Sequence, residues 1–232
     1  MKKLFLLVVL LISMGTGIWA QFPKAIFPGD YPDPSILRDG KDYYMTHSPF
    51  CYAPGLLIWH STDLLHWEPV CRALSEYEAS IWAPDLLKYQ NRYYIYYPTS
   101  TGENYVIYAD NICAPWSKPV KLDVKGIDPG HVVGEDGKRY LFTNNGWITP
   151  LSDDGLKVTG KSRKVYDGWE YPANWVTEGK DMYLESPKLL YKDGYYYMMS
   201  AEGGTAGPAN SQPHVCGGTF QIGVRSVGEL TL

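Results

Sequence analysis

Pro34-Ser-Ile-Leu-Arg-Asp-Gly-Lys-Asp-Tyr-Tyr-Met45 packs a short apolar run, an Asp-Gly pair and an aromatic run into one stretch. Asp39-Gly40 offers the positive φ angles of a tight hairpin turn, so the stretch reads as two antiparallel strands. The pattern returns in Pro84-Asp-Leu-Leu-Lys-Tyr-Gln-Asn-Arg-Tyr-Tyr-Ile95, in Pro129-Gly-His-Val-Val-Gly-Glu-Asp-Gly-Lys-Arg-Tyr-Leu141 and in Pro187-Lys-Leu-Leu-Tyr-Lys-Asp-Gly-Tyr-Tyr-Tyr-Met198. Its turns there are Gln90-Asn91, Asp136-Gly137 and Asp193-Gly194. The prolines fall at 34, 84, 129 and 187. That is a period of roughly 50 residues, the length of a four-stranded propeller blade. Further strands are expected at Leu56–His60 and Tyr105–Ala109, each leading through a turn to a tryptophan, Trp67 or Trp116. No segment has the pattern of a long amphipathic helix. A β-sandwich also has many short strands, but the regular period favours an all-β propeller.

Composition agrees with strands. Aromatic residues make up 15% of the 232-residue chain, with 20 Tyr and 8 Trp. Flat rings suit a pleated surface, and they also suit the apolar face of a sugar. The net charge of -4 gives no basic footprint for nucleic acid. Residues 1–20 read as an export signal, with Lys2 and Lys3 ahead of the apolar run Leu4 to Ile12 and cleavage expected before Gln21. After cleavage nothing later is apolar enough to cross a membrane, so a periplasmic or extracellular location is expected. Cys51, Cys71, Cys113 and Cys216 fit no zinc template. Buried free thiols are expected, although an exported chain has three possible pairings for them.

The blade starts carry acids. Asp33 and Asp128 stand directly before their prolines, Glu185 two residues before Pro187, and Asp85 one residue after Pro84. The innermost strand of each propeller blade lines the axis, so residues at equivalent positions converge there. Singly, each acid has a plainer reading as a turn or loop residue. Together, Asp33, Asp128 and Glu185 supply carboxylates from separate blades that can divide acid and base work. A separation of roughly 6.5–9.5 Å between such a pair admits a water and gives inversion.

Several spaced motifs in order then resemble glycoside hydrolase family 43. They are Tyr31-Pro-Asp-Pro-Ser35, Phe50 to His60, Asp63-Leu-Leu-His-Trp67, Trp82-Ala-Pro-Asp85, Ile127-Asp-Pro129 and Glu185-Ser-Pro187. The resemblance runs from about residue 25 to Gly207 and implies a five-bladed β-propeller that hydrolyses xylose- or arabinose-containing plant glycans with inversion. It implies Asp33 as general base and Glu185 as general acid, with Asp128 raising the pKa of that acid and orienting it. Trp82 and Phe50 are implied as walls of the sugar pocket, with packing in the core as the plainer reading for either ring. Asp85 is given a supporting part in substrate binding, since a one-residue offset reverses the side-chain direction. Ser186 stands where the family usually has Gly. No cofactor is required; some members hold calcium in the channel, but there is no dedicated calcium loop here. A non-catalytic glycan-binding propeller is the alternative, and the three acids favour the enzyme.

The resemblance stops after Gly207. Five blades need roughly 300 residues, so about three blades and part of a fourth are expected here, in a chain both unstable and inactive by itself. Back-translating residues 218–232 and moving one base over permits Ala-Arg-Ser-Lys-Ser-Val-Phe-Gly-Pro-Trp-Glu-Asn-Ser-Pro, the run the family would have next. Residues 211–232 therefore read as a frame-shifted tail on a propeller domain that spans 21–232.

Overall fold

The protein is seen in a computed structural model that describes residues 25–77, 79–167 and 184–202 and the backbone of 219–226. The proposed signal at 1–20 and most of the 211–232 tail lie outside the described residues. What is described is all-β, apart from a single 3₁₀ turn at Asn144–Gly146. The first sheet is an antiparallel meander of β1 (Ser35–Asp39), β2 (Asp42–Thr46), β3 (Leu57–Ser61) and β4 (Glu68–Arg72). The second holds β5 (Asp85–Tyr89), β6 (Arg92–Pro98), β7 (Asn104–Ala109) and β8 (Val120–Leu122). The third holds β9 (Gly130–Val133), β10 (Arg139–Thr143), β11 (Trp147–Leu151) and β12 (Arg163–Lys164). The fourth has three strands, β13 (Glu185–Lys192), β14 (Tyr195–Glu202) and β15 (Thr219–Ser226). These sheets are propeller blades, and their first strands β1, β5, β9 and β13 neighbour one another around the axis.

The hairpins fall where the repeat places them, with one shift in detail. Asp39 pairs with Asp42 inside the ladder, so the first loop is Gly40-Lys41 and Gly40 takes the positive φ of 65°. Between β13 and β14 the loop is Asp193-Gly194, with φ of 54° and 82°. Both residues there are left-handed, as a type I′ turn requires. The expected tryptophans close their turns, Trp67 Nε1 donating to the Leu64 carbonyl and Trp116 Nε1 to that of Ile112, each at 3.1 Å.

Alternation along the second strands explains the tyrosines. On β6, Tyr93, Ile95 and Tyr97 face the first blade and pack with Leu56, Ile58 and Leu86. Tyr94 and Tyr96 face the third blade and pack with Leu141 and Leu151. On β10, Leu141 faces back while Tyr140 and Phe142 face forward to Tyr196 of β14. A middle blade is thus buried on both faces, so its strands are aromatic or aliphatic throughout. Each such side chain, fully buried, contributes about 1.5–3 kcal/mol.

The cysteines depart from expectation. Cys71 on β4 and Cys113 in the turn after β7 form a disulfide with Cα atoms 5.6 Å apart, and Cys51 is a free thiol that is exposed rather than buried. Cys216 lies outside the described residues. The pair is 42 residues apart in the chain, and only the stacking of two blades brings it together. Alkylation of the folded, unreduced protein should label Cys51 and spare Cys71 and Cys113, as read by peptide mass mapping. Replacing both bonded cysteines with Ser should cost about 2–4 kcal/mol of unfolding free energy. Ready labelling of Cys71 in the folded state would refute the pairing.

Candidate active site

A turn repeats at the head of each innermost strand. The residue before the blade proline is left-handed each time, with φ of 53° at Asp33, 20° at Ala83, 57° at Asp128 and 48° at Ser186. None is glycine, and a following proline drives its neighbour toward extended backbone. A left-handed non-glycine residue costs about 1–2 kcal/mol. Strain of this kind persists only where the surroundings over-determine it. All four of these residues line one cavity of about 520 Å³. Trp82, Ile127 and Glu185, one residue further upstream, line it too. Glu185 therefore occupies the register of Trp82 and Ile127, and Ser186 that of Asp33 and Asp128.

The cavity thus gathers Asp33, Asp128 and Glu185 from the starts of three different blades, with Trp82 and Phe50 in the wall. Phe50 is 37% exposed and so not a core residue. Asp85 is not on the cavity surface. Its buried carboxylate accepts the His131 N–H at 2.8 Å and the Lys188 ammonium at 2.8 Å, so it serves the protein's own framework.

Each acid is held differently. Ser48 Oγ donates to Asp33 Oδ2 at 2.5 Å and accepts the Ala83 N–H at 2.6 Å, which ties the first acid to the neighbouring blade. Asp33 itself is exposed to the cavity. Asp128 is buried, and its Oδ2 accepts the Ser186 N–H at 3.1 Å. Burial raises its carboxyl above the ordinary range and the Asp33 charge adds to this; the Ser186 N–H and Lys188 oppose it. Glu185 opens β13, where its carbonyl accepts Ser200 Oγ at 2.9 Å. A register shift separates Glu185 from Lys188. Regular alternation would put side chains three residues apart on opposite faces; the irregularity turns both into the cavity.

Ser48 and Lys188 are the residues that sequence reading missed. Ser48 has no motif. Lys188 had a signal: it follows its blade proline as Asp85 follows Pro84, which places opposite charges at one blade position. Among the described residues no three His, Cys, Asp or Glu side chains are placed to hold a metal ion.

The model of glycosyl hydrolases family 43 matches residues 22–218. A xylosidase/arabinosidase of Butyrivibrio fibrisolvens is 33% identical over 207 residues, which are 78% of this chain and 38% of that protein. A non-reducing end α-L-arabinofuranosidase of Bacteroides ovatus is 31% identical over 218 residues, 86% of this chain and 40% of its own. The crystal structure of a xylan β-1,4-xylosidase from Bacillus halodurans superposes with a TM-score of 0.66 at 33% identity, covering 78% of this chain and 39% of that one. The chain thus spans about two fifths of the length of these relatives.

The buried Asp128 has a consequence for stability. Its folded-state pKa is raised from the ordinary 3.8, so the folded chain holds that proton more tightly than the unfolded one. The stability this gives is full below about pH 3.8 and is lost as pH rises through the folded value. Asp128→Asn keeps the acceptor for Ser186 without the charge. It should melt higher than the wild type near neutral pH, with the gain vanishing below about pH 3.8. Melting curves recorded between about pH 3 and about pH 7 check this, and a gain independent of pH would contradict it.

Proposed function

The chain belongs to glycosyl hydrolase family 43, and on that footing we propose that its full-length protein removes xylose or arabinose units from plant glycans with inversion. The observation that carries the reading is the meeting of Asp33, Asp128 and Glu185 on one cavity with Trp82 and Phe50 beside them. Its volume of about 520 Å³ falls within the range of small-ligand sites, and the aromatic walls suit the apolar face of a pentose. Similar proteins carry the names xylosidase and arabinosidase.

In this mechanism the Asp33 carboxylate, aimed by Ser48, takes a proton from a water whose oxygen attacks the anomeric carbon from one face. The glycosidic carbon–oxygen bond breaks on the other, and Glu185 passes its proton to the departing oxygen. Asp128 sits behind the acid through its bond to the Ser186 N–H, where a nearby negative charge keeps Glu185 protonated at working pH. Side chains alone carry these steps. Export is proposed with it: residues 1–20 have the form of a signal, and the Cys71–Cys113 disulfide belongs in an oxidising compartment. The family match ends at Gly218, inside the segment proposed to be frame-shifted. Sequencing the gene across codons 205–232 tests that proposal.

The full-length protein, with the frame restored, should cleave aryl β-xylosides or aryl α-L-arabinofuranosides. Asp33→Asn should lower kcat by at least about 10²–10⁴-fold, since an amide cannot take the proton from water. Glu185→Gln should impair substrates with poor leaving groups far more than activated aryl glycosides. Equal losses across leaving groups would remove Glu185 from the acid role, and retained configuration in the product would overturn inversion.

A further inference from the structure

One residue on from the blade prolines stand Ser35, Asp85, Gly130 and Lys188, on the innermost strands of the four blades. Lys188 reaches from β13 across the third blade to the second. Its ammonium donates to Asp85 Oδ1 at 2.8 Å and, on the way, to the Pro129 carbonyl at 2.7 Å. The other oxygen of Asp85 accepts the His131 N–H of β9 at 2.8 Å. One ion pair therefore joins the innermost strands of three successive blades. The bonded backbone flanks the site: Pro129 follows Asp128, and Lys188 lies three residues after Glu185. Gly130 gives the strands room to approach, because a Cβ there would overlap the Pro187 carbonyl.

The pair is well shielded, with side-chain exposures of 11% for Asp85 and 32% for Lys188. Lys188 lies on the cavity surface and Asp85 behind it. The charged and titratable groups around them are Asp33 before β1, Tyr96 on β6, Asp128 before β9, His131 on β9, Arg139 on β10 and Glu185 on β13. His131 is neutral at working pH, its pKa pushed down to about 3 by burial and by Arg139, and its Nε2 accepts from Arg139 Nε at 2.9 Å. Among the described residues, Lys188 is the cation on the cavity wall, and its own counter-ion, Asp85, is the one acid of the group that stays off it.

We propose that Lys188 and Asp85 are positioning residues of the site, a neutral pair that fixes Asp128 and Glu185 relative to one another and keeps surplus charge away from the reacting acids. The proposal rests on the glycosidase reading. Removing the ammonium alone leaves an unpaired Asp85 carboxylate beside the acids, so their protons are held to higher pH. Removing both members restores neutrality.

The test compares the full-length wild type with Lys188→Met, Lys188→Arg, Asp85→Asn and the Asp85→Asn/Lys188→Met double replacement, by kcat/KM against pH on an aryl pentoside and by thermal melting. Lys188→Met should move both limbs upward by about one pH unit. Asp85→Asn should move them down, and Lys188→Arg and the double replacement should lie near the wild type. Lys188→Met should also melt below the double replacement, since breaking one half of a shielded pair is worse than removing both. A loss of activity in Lys188→Met with an unmoved profile, or a double replacement no closer to wild type than the single one, would overturn the proposal. A wild type that cleaves no pentoside overturns the glycosidase reading instead, and the order of melting temperatures then decides whether the pair holds the blades. If Lys188→Met does not fold while the double replacement does, the staple is supported; if both fail, it is refuted.

Discussion

The left-handed residue ahead of each blade proline is the constraint from which the site follows. Proline fixes its own φ and biases the preceding residue toward extended backbone. At Asp33, Ala83, Asp128 and Ser186 the chain adopts the opposite hand, and the surroundings hold it there. Ser48 bonds across from Asp33 to the Ala83 N–H, and the Ser186 N–H is held by Asp128. At Ala83 and Ser186 the contact that restrains the turn thus comes from the preceding blade. The bent segment is the last before the innermost strand, so what it carries ends beside the axis. Where it carries Asp it presents an acid, and where it carries Ala the wall is bare.

Packing supplies the rigidity that such a turn requires. The second strands of the middle blades are buried on both faces, with Tyr93, Ile95 and Tyr97 of β6 on one side and Tyr94 and Tyr96 on the other. Where two blades meet at the rim, the Cys71–Cys113 disulfide joins them covalently. At the axis, Gly130 lies against the Pro187 carbonyl and Lys188 spans to Asp85. The first two blades are therefore joined at the rim and the second, third and fourth at the axis, beside the cavity acids.

Electrostatics divides the acids by surroundings rather than by residue type. Asp33 faces the open cavity and accepts one hydroxyl donor, Ser48 Oγ. Asp128 has the same chain position but is buried, and burial with the Asp33 charge raises its pKa. Two aspartates at equivalent turns thus differ in surroundings, one exposed and one buried.

The sequence by itself determined the repeat. A proline, an apolar run, a turn and an aromatic run recur locally, and the periodicity of a strand and the chemistry of a hairpin are properties of neighbouring residues. It also placed Asp33, Asp128 and Glu185 at blade starts, because equivalent positions in a repeat converge in a propeller, and the same alignment held the opposite charges of Asp85 and Lys188. The tertiary structure alone decided what those positions became. At Ala83 and Ser186 the left-handed turn is held by contacts from the preceding blade, and no single stretch records them. Glu185 and Lys188 share a face because a ladder irregularity breaks the alternation that a regular strand would impose. The pairing of Cys71 with Cys113, the service of Ser48 to Asp33 and the partners of Asp85 all join residues far apart in the chain. Such contacts exist only after the blades stack, and stacking is settled by the summed fit of two sheet faces rather than by any residue that a motif could name.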